Sequence, residues 1–461
     1  MLEKFFNIFR IPDLRKRVFF TAGILAVYRL GAWIPTPGVD TAKLAVLFNA
    51  QNGSALGLMD LFSGGTLRRM TVFALGIMPY ITASIIFQLL AVVYEPLARI
   101  EKEGELGRRK ITQWTRYLTV ILGVLQSIGI AAILTKQGLV LDPGIGFILM
   151  TVLTLTAGTT FIMWLGEQIT DRGIGNGMSL LIFAGIVAGL PSGVGELFQK
   201  VQQEAWGGYT GIVVVLLLIG MLAVVAFIVY VERAERRVPI QSARRIVGRR
   251  MMGGQASHLP LKVNSGGVMP IIFASSILSA PMLVGTSTWV QNNRVLESIY
   301  QALEPGMPWY ELLNILAIIF FAYFYVSIVM KPDDIADNFR KSGSFIPGIR
   351  PGKRTSDFIN DILTRITLVG GLYLIVVQTV PTFLMSGIRF DKIWLIGRFF
   401  ETLPNWTTHG MGIQFYFGGT SLLIVVGVAM DTINQVESQL VMRHYDGFSP
   451  RSGRVRGRKT W

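Results

Sequence analysis

Ten separated apolar runs, each near the length a helix needs to cross a lipid bilayer, set the first limit on what this chain can become. A hydrocarbon core of about 30 Å takes about 17–25 helical residues. Runs of that order lie at 18–34, 70–93, 117–135, 146–166, 174–190, 209–231, 267–284, 312–330, 366–385 and 412–430. The fold they predict is an all-α polytopic membrane protein with ten transmembrane helices. The fifth and seventh runs are short and rich in glycine, which suits helices packed against protein rather than facing lipid all round. Composition agrees. Of 461 residues, 51% are hydrophobic and 15% charged, against roughly 25% charged in soluble domains, so an ordinary soluble enzyme is excluded.

Ten crossings put both termini on one side, and the placement of basic residues decides which. Of 43 Lys and Arg, 33 fall in 1–17, 94–116, 167–173, 232–266, 331–365 and 431–461, and nine fall on the opposite side. Both termini are therefore predicted to be cytoplasmic. Arg29 is embedded in the first run four residues before Trp33, where snorkelling to the interface suits it better than a buried functional charge. The first run follows Arg15-Lys16-Arg17 as in a signal sequence but lacks a small-residue cleavage site, so it reads as a retained span.

Catalytic chemistry finds little to work with. There is no cysteine, and the three histidines, His258, His409 and His444, stand far apart in polar stretches. A thiol nucleophile or a Cys or His metal centre is not expected, no cofactor is called for, and hydrolase motifs are absent. Asp171-Arg172-Gly173-Ile174-Gly175-Asn176-Gly177 fails the dinucleotide fingerprint and reads as a flexible start to a helix.

The runs contain an internal repeat. Gly76-Ile77-Met78-Pro79-Tyr80-Ile81-Thr82-Ala83-Ser84-Ile85-Ile86-Phe87 and Gly267-Val268-Met269-Pro270-Ile271-Ile272-Phe273-Ala274-Ser275-Ser276-Ile277-Leu278 share Gly, Met, Pro, Ala, Ser and Ile at a fixed offset of 191. Each copy begins the second helix of a five-helix half, and the predicted topology makes the copies antiparallel. That pattern predicts two inverted-topology halves, 1–190 and 209–430, facing each other across a central pore. Residues 191–208, with Pro191, Gly193, Gly195, Gly207 and Gly208, would join them outside, as a hinge or as a plain loop. A basic tail, 431–461, follows.

Ion-coupled transport needs ionisable groups at membrane depth, and the runs are almost free of them. Ile77, Ile81 and Ile272 instead form an apolar stripe that either seals a pore without binding any solute or simply packs helices. Ser84, Gln88, Gln126, Asn264, Ser275 and Ser276 are polar groups of the kind that join helices weakly, at about 0.6 kcal/mol per bond. Residues 55–67 are apolar, too short to span, and break at Gly64-Gly65; a re-entrant helix and a surface-lying turn both suit them.

Two loops are long as well as basic. The first, 232–266, carries Arg233, Arg236, Arg237, Arg244, Arg245, Arg249 and Arg250, and the second, 331–365, carries Arg340, Lys341, Arg350, Lys353 and Arg354. Arginine clusters suit phosphate backbones. Positive-inside bias with anionic-lipid contact explains the sign of the charge but not the length of the loops. The tail from Arg451 to Lys459 adds five basic residues suited to lipid headgroups or RNA.

Over essentially its whole length, from Ile34-Pro35-Thr36-Pro37-Gly38 to Phe417-Gly418-Gly419-Thr420-Ser421-Leu422-Leu423-Ile424, the sequence resembles the SecY/Sec61-alpha family of protein-conducting channels. The motifs that carry the likeness are Phe62-Ser63-Gly64-Gly65, Ala74-Leu75-Gly76-Ile77-Met78-Pro79-Tyr80-Ile81, Glu103-Gly104-Glu105-Leu106-Gly107-Arg108-Arg109-Lys110, Gly166-Glu167-Gln168-Ile169-Thr170, His258-Leu259-Pro260-Leu261-Lys262-Val263-Asn264 and Pro347-Gly348-Ile349-Arg350-Pro351-Gly352. The resemblance implies an hourglass channel whose apolar waist comprises Ile77, Ile81, Met178, Ile182, Ile272 and Ile424. The family usually has a branched aliphatic residue where Met178 stands. It further implies a plug at about 57–67, including Leu58, Met59, Asp60, Leu61, Phe62, Ser63, Gly64 and Gly65. A lateral gate would open between spans two and three and spans seven and eight, with Ser84, Gln88, Gln126, Asn264, Ser275 and Ser276 in its seam.

The basic loops would dock the ribosome and the SecA motor, with Arg350 in the loop that couples to the motor. SecE and SecG would be the companion subunits in a bacterial plasma membrane, with secretory polypeptides and their signal sequences as cargo and anionic lipids as neighbours. A secondary transporter of a small solute, built on the same inverted repeat, is the alternative reading, and a purely structural scaffold a third.

Overall fold

Pro12, which can occupy a first helical turn without losing a hydrogen bond, opens the first helix, α1 (Pro12–Gly31). The computed structural model describes residues 11–41, 43–44, 64–203, 210–242, 245–247, 250–252, 257–285, 297–298, 300, 302–303, 307–386 and 419–446. After α1 the chain turns. Val72 N–H donates to the Ile34 carbonyl at 2.9 Å and Thr36 N–H to that of Met70 at 2.8 Å, with a bridge between Pro35 and Thr71.

The remaining helices of the first half are α2 (Met78–Val93), α3 (Glu95–Lys102), α4 (Glu105–Lys136), α5 (Ile145–Arg172) and α6 (Gly177–Gln202). Extended Tyr94 and the proline that follows it break α2 from α3, which are bent by 102°. The 32 residues of α4 reach roughly 48 Å, so the basic stretch before the expected third span is helical rather than loop. Its good helix formers are braced by a Glu105–Arg109 ion pair at 2.7 Å. Asn176 caps α6, its Oδ1 accepting from Met178 N–H at 3.1 Å. This helix runs through Pro191 to Gln202, so the first part of the expected external connection is helical; residues 204–208 lie outside the described residues.

The second half contains α7 (Thr210–Arg233), α8 (Met269–Gly285), α9 (Pro308–Val329), α10 (Pro332–Ser342), α11 (Lys353–Ser386) and α12 (Gly419–Asp446). Helices therefore lie within all ten apolar runs. Among the described residues six spans qualify alone by length and composition, α4, α5, α6, α7, α9 extended through α10, and α11, with a seventh if α2 and α3 count as one. The most apolar is α7, at mean hydropathy 3.4, and only 6% of its apolar window is covered by protein.

Helices make up most of the fold, as expected, and the basic loops add a little strand. Strands β1 (Glu235–Ser242), β2 (Arg245–Val247), β3 (Arg250–Met252), β4 (Ser257–Lys262) and β5 (Ser344–Phe345) form two small sheets. In β1, Val238 and Ile240 are buried and alternate with exposed neighbours, which is the period of a half-buried strand. Antiparallel β4 pairs along β1 from Glu235↔Lys262 to Ile240↔Ser257, and β5 joins its other edge at Gln241↔Phe345. Val238 and Leu261 share an apolar cluster with Ile346, Ile359 and Leu363. The two basic loops are thus one folded unit.

Candidate pore constriction

The repeated sequence makes a repeated structure. Gly76 and Gly267 both take left-handed backbone, φ 56° and 58°, which glycine adopts without steric cost. Each closes a four-residue turn, Gly76 N–H to the Phe73 carbonyl at 2.9 Å and Gly267 N–H to the Asn264 carbonyl at 3.3 Å. Two residues later α2 begins at Met78 and α8 at Met269. These helices pack on each other, and α2 also packs on α4, as α8 does on α9.

At this junction Ile77, Ile81, Ile182, Ile272 and Ile424 line one cavity together with Leu75, Gly76, Met78, Ser275 and Ser276. Its volume open to water is about 10 Å³, at or below what one water needs. Ile77, Ile182, Ile272 and Ile424 belong to a buried apolar cluster that also holds Tyr28, Phe73, Ile162, Ile169, Leu181 and Ile186. Both halves contribute. Of the six residues assigned to a waist, Met178 alone does not line the cavity; it packs against the same cluster, under the spot where Gly166 lacks a side chain.

The polar residues assigned to a gate seam are distributed differently. Gln88 Nε2 donates to Ser84 Oγ at 3.2 Å along α2, and Ser275 Oγ donates to the Ile271 and Ile272 carbonyls of its own helix at 2.9 and 3.1 Å. Buried Asn264 sends its Nδ2 to Glu232 Oε1 on α7 at 2.7 Å and to the Gly267 carbonyl at 3.1 Å. For these four residues the bonds do not run between the two walls. Ser276 is buried on the cavity. Gln126 Oε1 is buried with no hydrogen-bond partner among the described residues.

Of the residues assigned to a plug, Leu58, Met59, Asp60, Leu61, Phe62 and Ser63 lie outside the described residues. Gly64 and Gly65 have φ 70° and 81°. A Cβ at Gly64 would lie 2.7 Å from Gly185 Cα, so the end of this segment rests directly on α6.

On the basic unit, Arg236 and Arg237 are exposed on β1, Arg237 paired with Glu235 at 2.7 Å. Arg245 and Arg250 sit in the β2–β3 ladder opposite Met252 and Val247. Arg340 closes α10 beside Asp337 at 3.7 Å, and Arg350, Lys353 and Arg354 are exposed around the start of α11. Arg244 and Arg249, and the tail from residue 447, lie outside the described residues.

Sequence reasoning passed over three contacts made by charged residues. Glu232 holds Asn264 as described, Lys262 Nζ lies 3.9 Å from Asp431 of α12, and Arg116 of α4 donates to Glu167 of α5 at 2.6 Å. Among the described residues no group of three or more His, Cys, Asp or Glu could hold a metal ion.

Helices from two repeats converging on a water-sized, mostly apolar constriction define a polytopic membrane protein built around a narrow path. Comparison with known proteins agrees. The SecY family model matches residues 71–433. SecY of Escherichia coli K12 is 46% identical over 445 residues, 95% of this chain and 94% of that one. SecY of Streptomyces griseus is 44% identical over 468 residues, covering 97% and 100%. The chain belongs to the SecY family. The fold is also that of a solved protein-conducting channel, at TM-score 0.62, 16% identity and 95% coverage of both chains. Sec61 from a canine ribosome-channel complex of the endoplasmic reticulum gives TM-score 0.59 at 15% identity and 95% coverage of both.

Proposed function

We propose that this chain is the central subunit of a protein-conducting channel, moving unfolded polypeptides across a membrane and releasing apolar segments sideways into lipid. The observation that carries this reading is the cavity lined by Ile77, Ile81, Ile182, Ile272 and Ile424. A passage for chains of any sequence must offer no specific ligand, and an aliphatic gasket excludes ions by dewetting while yielding to whatever threads it. An apolar segment in the path gains about 25 cal/mol per Å² on leaving water, so sideways release needs no chemistry from the channel. The protein is a translocase subunit and needs no catalysis of its own; a motor, a translating ribosome or the membrane potential supplies the energy.

In this reading the five isoleucines and neighbouring Met178 form the pore ring, residues 57–67 the plug, and α2 and α4 against α8 and α9 the lateral gate. The chain crosses ten times in two inverted halves, with both termini in the cytoplasm of a bacterium and the spans in its plasma membrane. Its basic unit, including Arg236, Arg237, Arg340, Arg350, Lys353 and Arg354, docks the ribosome and the SecA motor. SecE and SecG are its companions within the membrane.

A photoreactive side chain at Ile81 tests the reading against a small-solute transporter. Crosslinks to an arrested secretory chain are expected. Contact with small solutes alone, while secretion proceeds without this protein, overturns it.

A further inference from the structure

The two repeats secure the same turn by opposite means. In the first, the residue opening the turn is Phe73, stacked between Tyr28 at 5.8 Å and Phe161 at 6.1 Å and pressed against Gly31, where any side chain would strike its ring. At the same offset in the second stands Asn264, held by hydrogen bonds to Glu232 and to Gly267. An aromatic stack in a packed core gives way only with its surroundings. A side-chain hydrogen bond to a carboxylate is short and strong yet can be exchanged for water in one step.

The position of this pair joins it to the docking unit. Glu232 lies in the last turn of α7, three residues before β1, and Asn264 follows β4 by two residues. The last rung of that hairpin lies between them, Glu235↔Lys262, extended by Val263 N–H donating to the Ala234 carbonyl at 2.9 Å. The turn is also pressed onto α11, where a Cβ at Gly370 would lie 2.7 Å from the Val263 carbonyl oxygen. Two routes lead from here to the constriction. Asn264 fixes the turn into α8, which carries Ile272. Lys262 reaches Asp431 at 3.9 Å, two helical turns along α12 from Ile424. Exposed on both sides, that ion pair is weak alone.

We propose that Glu232 and Asn264, seconded by Lys262 and Asp431, are positioning residues forming a latch. They hold α8 closed and release it when a load on the β1–β4 hairpin pulls Asn264 from Glu232. This rests on the channel reading above and deepens it: the first half supplies the fixed wall, and the second the wall that answers the cytoplasmic partner.

The test uses the whole translocase complex in lipid vesicles, with resting ion conductance and motor-driven export measured on the same preparation. Export by the wild-type complex establishes the channel reading independently, and its absence would overturn that reading rather than the latch. Asn264→Ala and Glu232→Ala are each expected to raise resting conductance about tenfold, the shift that losing one hydrogen bond to a charged group gives a two-state equilibrium. Both should accept substrates with defective signal sequences while exporting normal ones. Glu232→Gln, which keeps both the bulk of the side chain and an acceptor for Asn264, should stay near wild type, which a role resting on the negative charge alone would not predict.

The chain has no cysteine, so Glu232→Cys with Asn264→Cys gives a clean second arm. Bridging the two with a short bifunctional thiol reagent should abolish most export, and a cleavable bridge should restore it on cleavage. Wild-type conductance in both alanine variants, or undiminished export across the bridge, would overturn the latch.

Discussion

Gly76 and Gly267 occupy the same left-handed backbone region, φ 56° and 58°, at corresponding points of the two halves. A Cβ at Gly267 would meet nothing within 4 Å, so its replacement is charged to backbone conformation alone. Gly267→Ala is expected to destabilise the detergent-solubilised complex by about 1–2 kcal/mol, read as a lower thermal midpoint. An unchanged midpoint would show that the turn does not need its glycine.

The cavity lined by aliphatic side chains makes a prediction about leakage. Ile81→Asn and Ile272→Asn place an amide within the aliphatic part of the lining, so ions should cross vesicles holding either variant faster than wild type. Ile272→Leu, which preserves volume and apolarity, should hold the seal, because volume-conserving swaps cost less than about 1.5 kcal/mol. Equal tightness in all three would make these residues ordinary packing.

Two glycines on neighbouring helices separate close approach from open space. A Cβ at Gly158 of α5 would collide with the Val72 backbone carbonyl, whereas one at Gly129 of α4 meets nothing within 4 Å. Gly158→Ala should therefore cost about 1–3 kcal/mol, and Gly129→Ala should be neutral or stabilising by up to about 1 kcal/mol through helix propensity. Thermal unfolding of the pair, compared in one detergent, checks the sign of each.

Arg116 and Glu167 tie α4 to α5 at 2.6 Å, with the arginine side chain 47% exposed and the glutamate 17%. Solvent screening limits such a pair to about 1 kcal/mol or less. A double-mutant cycle with Arg116→Ala and Glu167→Ala should return a coupling of that size which shrinks as salt is added.

Arg350 stands exposed just before α11, its carbonyl accepting from Thr355 Oγ1 at 3.0 Å. Because its backbone is held while its side chain is free in solvent, Arg350→Glu should leave the complex folded and inserted but weaken motor-driven export. The measurement is export rate at matched amounts of complex, and a normal rate would remove the docking assignment.

Much of this was readable in the sequence because span length and face are local properties. An apolar run announces its helix, and Ile77 and Ile81 announce a stripe by standing one turn apart. What could not be read was pairing across distance. The sheet depends on β1 meeting β4 and, from a different loop, β5, and basic alternation in β1 looks like any charged loop until a partner buries Val238. The partner of Asn264 lies 32 residues upstream and that of Arg116 lies 51 away, so neither could be told from a solvated polar group. Span limits failed where polar helix formers carry on past the apolar run, as in α4, because hydropathy marks where a helix is greasy and not where it stops.

A gap with space for at most a single water molecule bears on proton leakage. Protons hop along connected files of water, and one isolated molecule is no file. A constriction of this size is expected to turn back protons as well as larger ions, and proton leak into vesicles carrying the idle complex measures it.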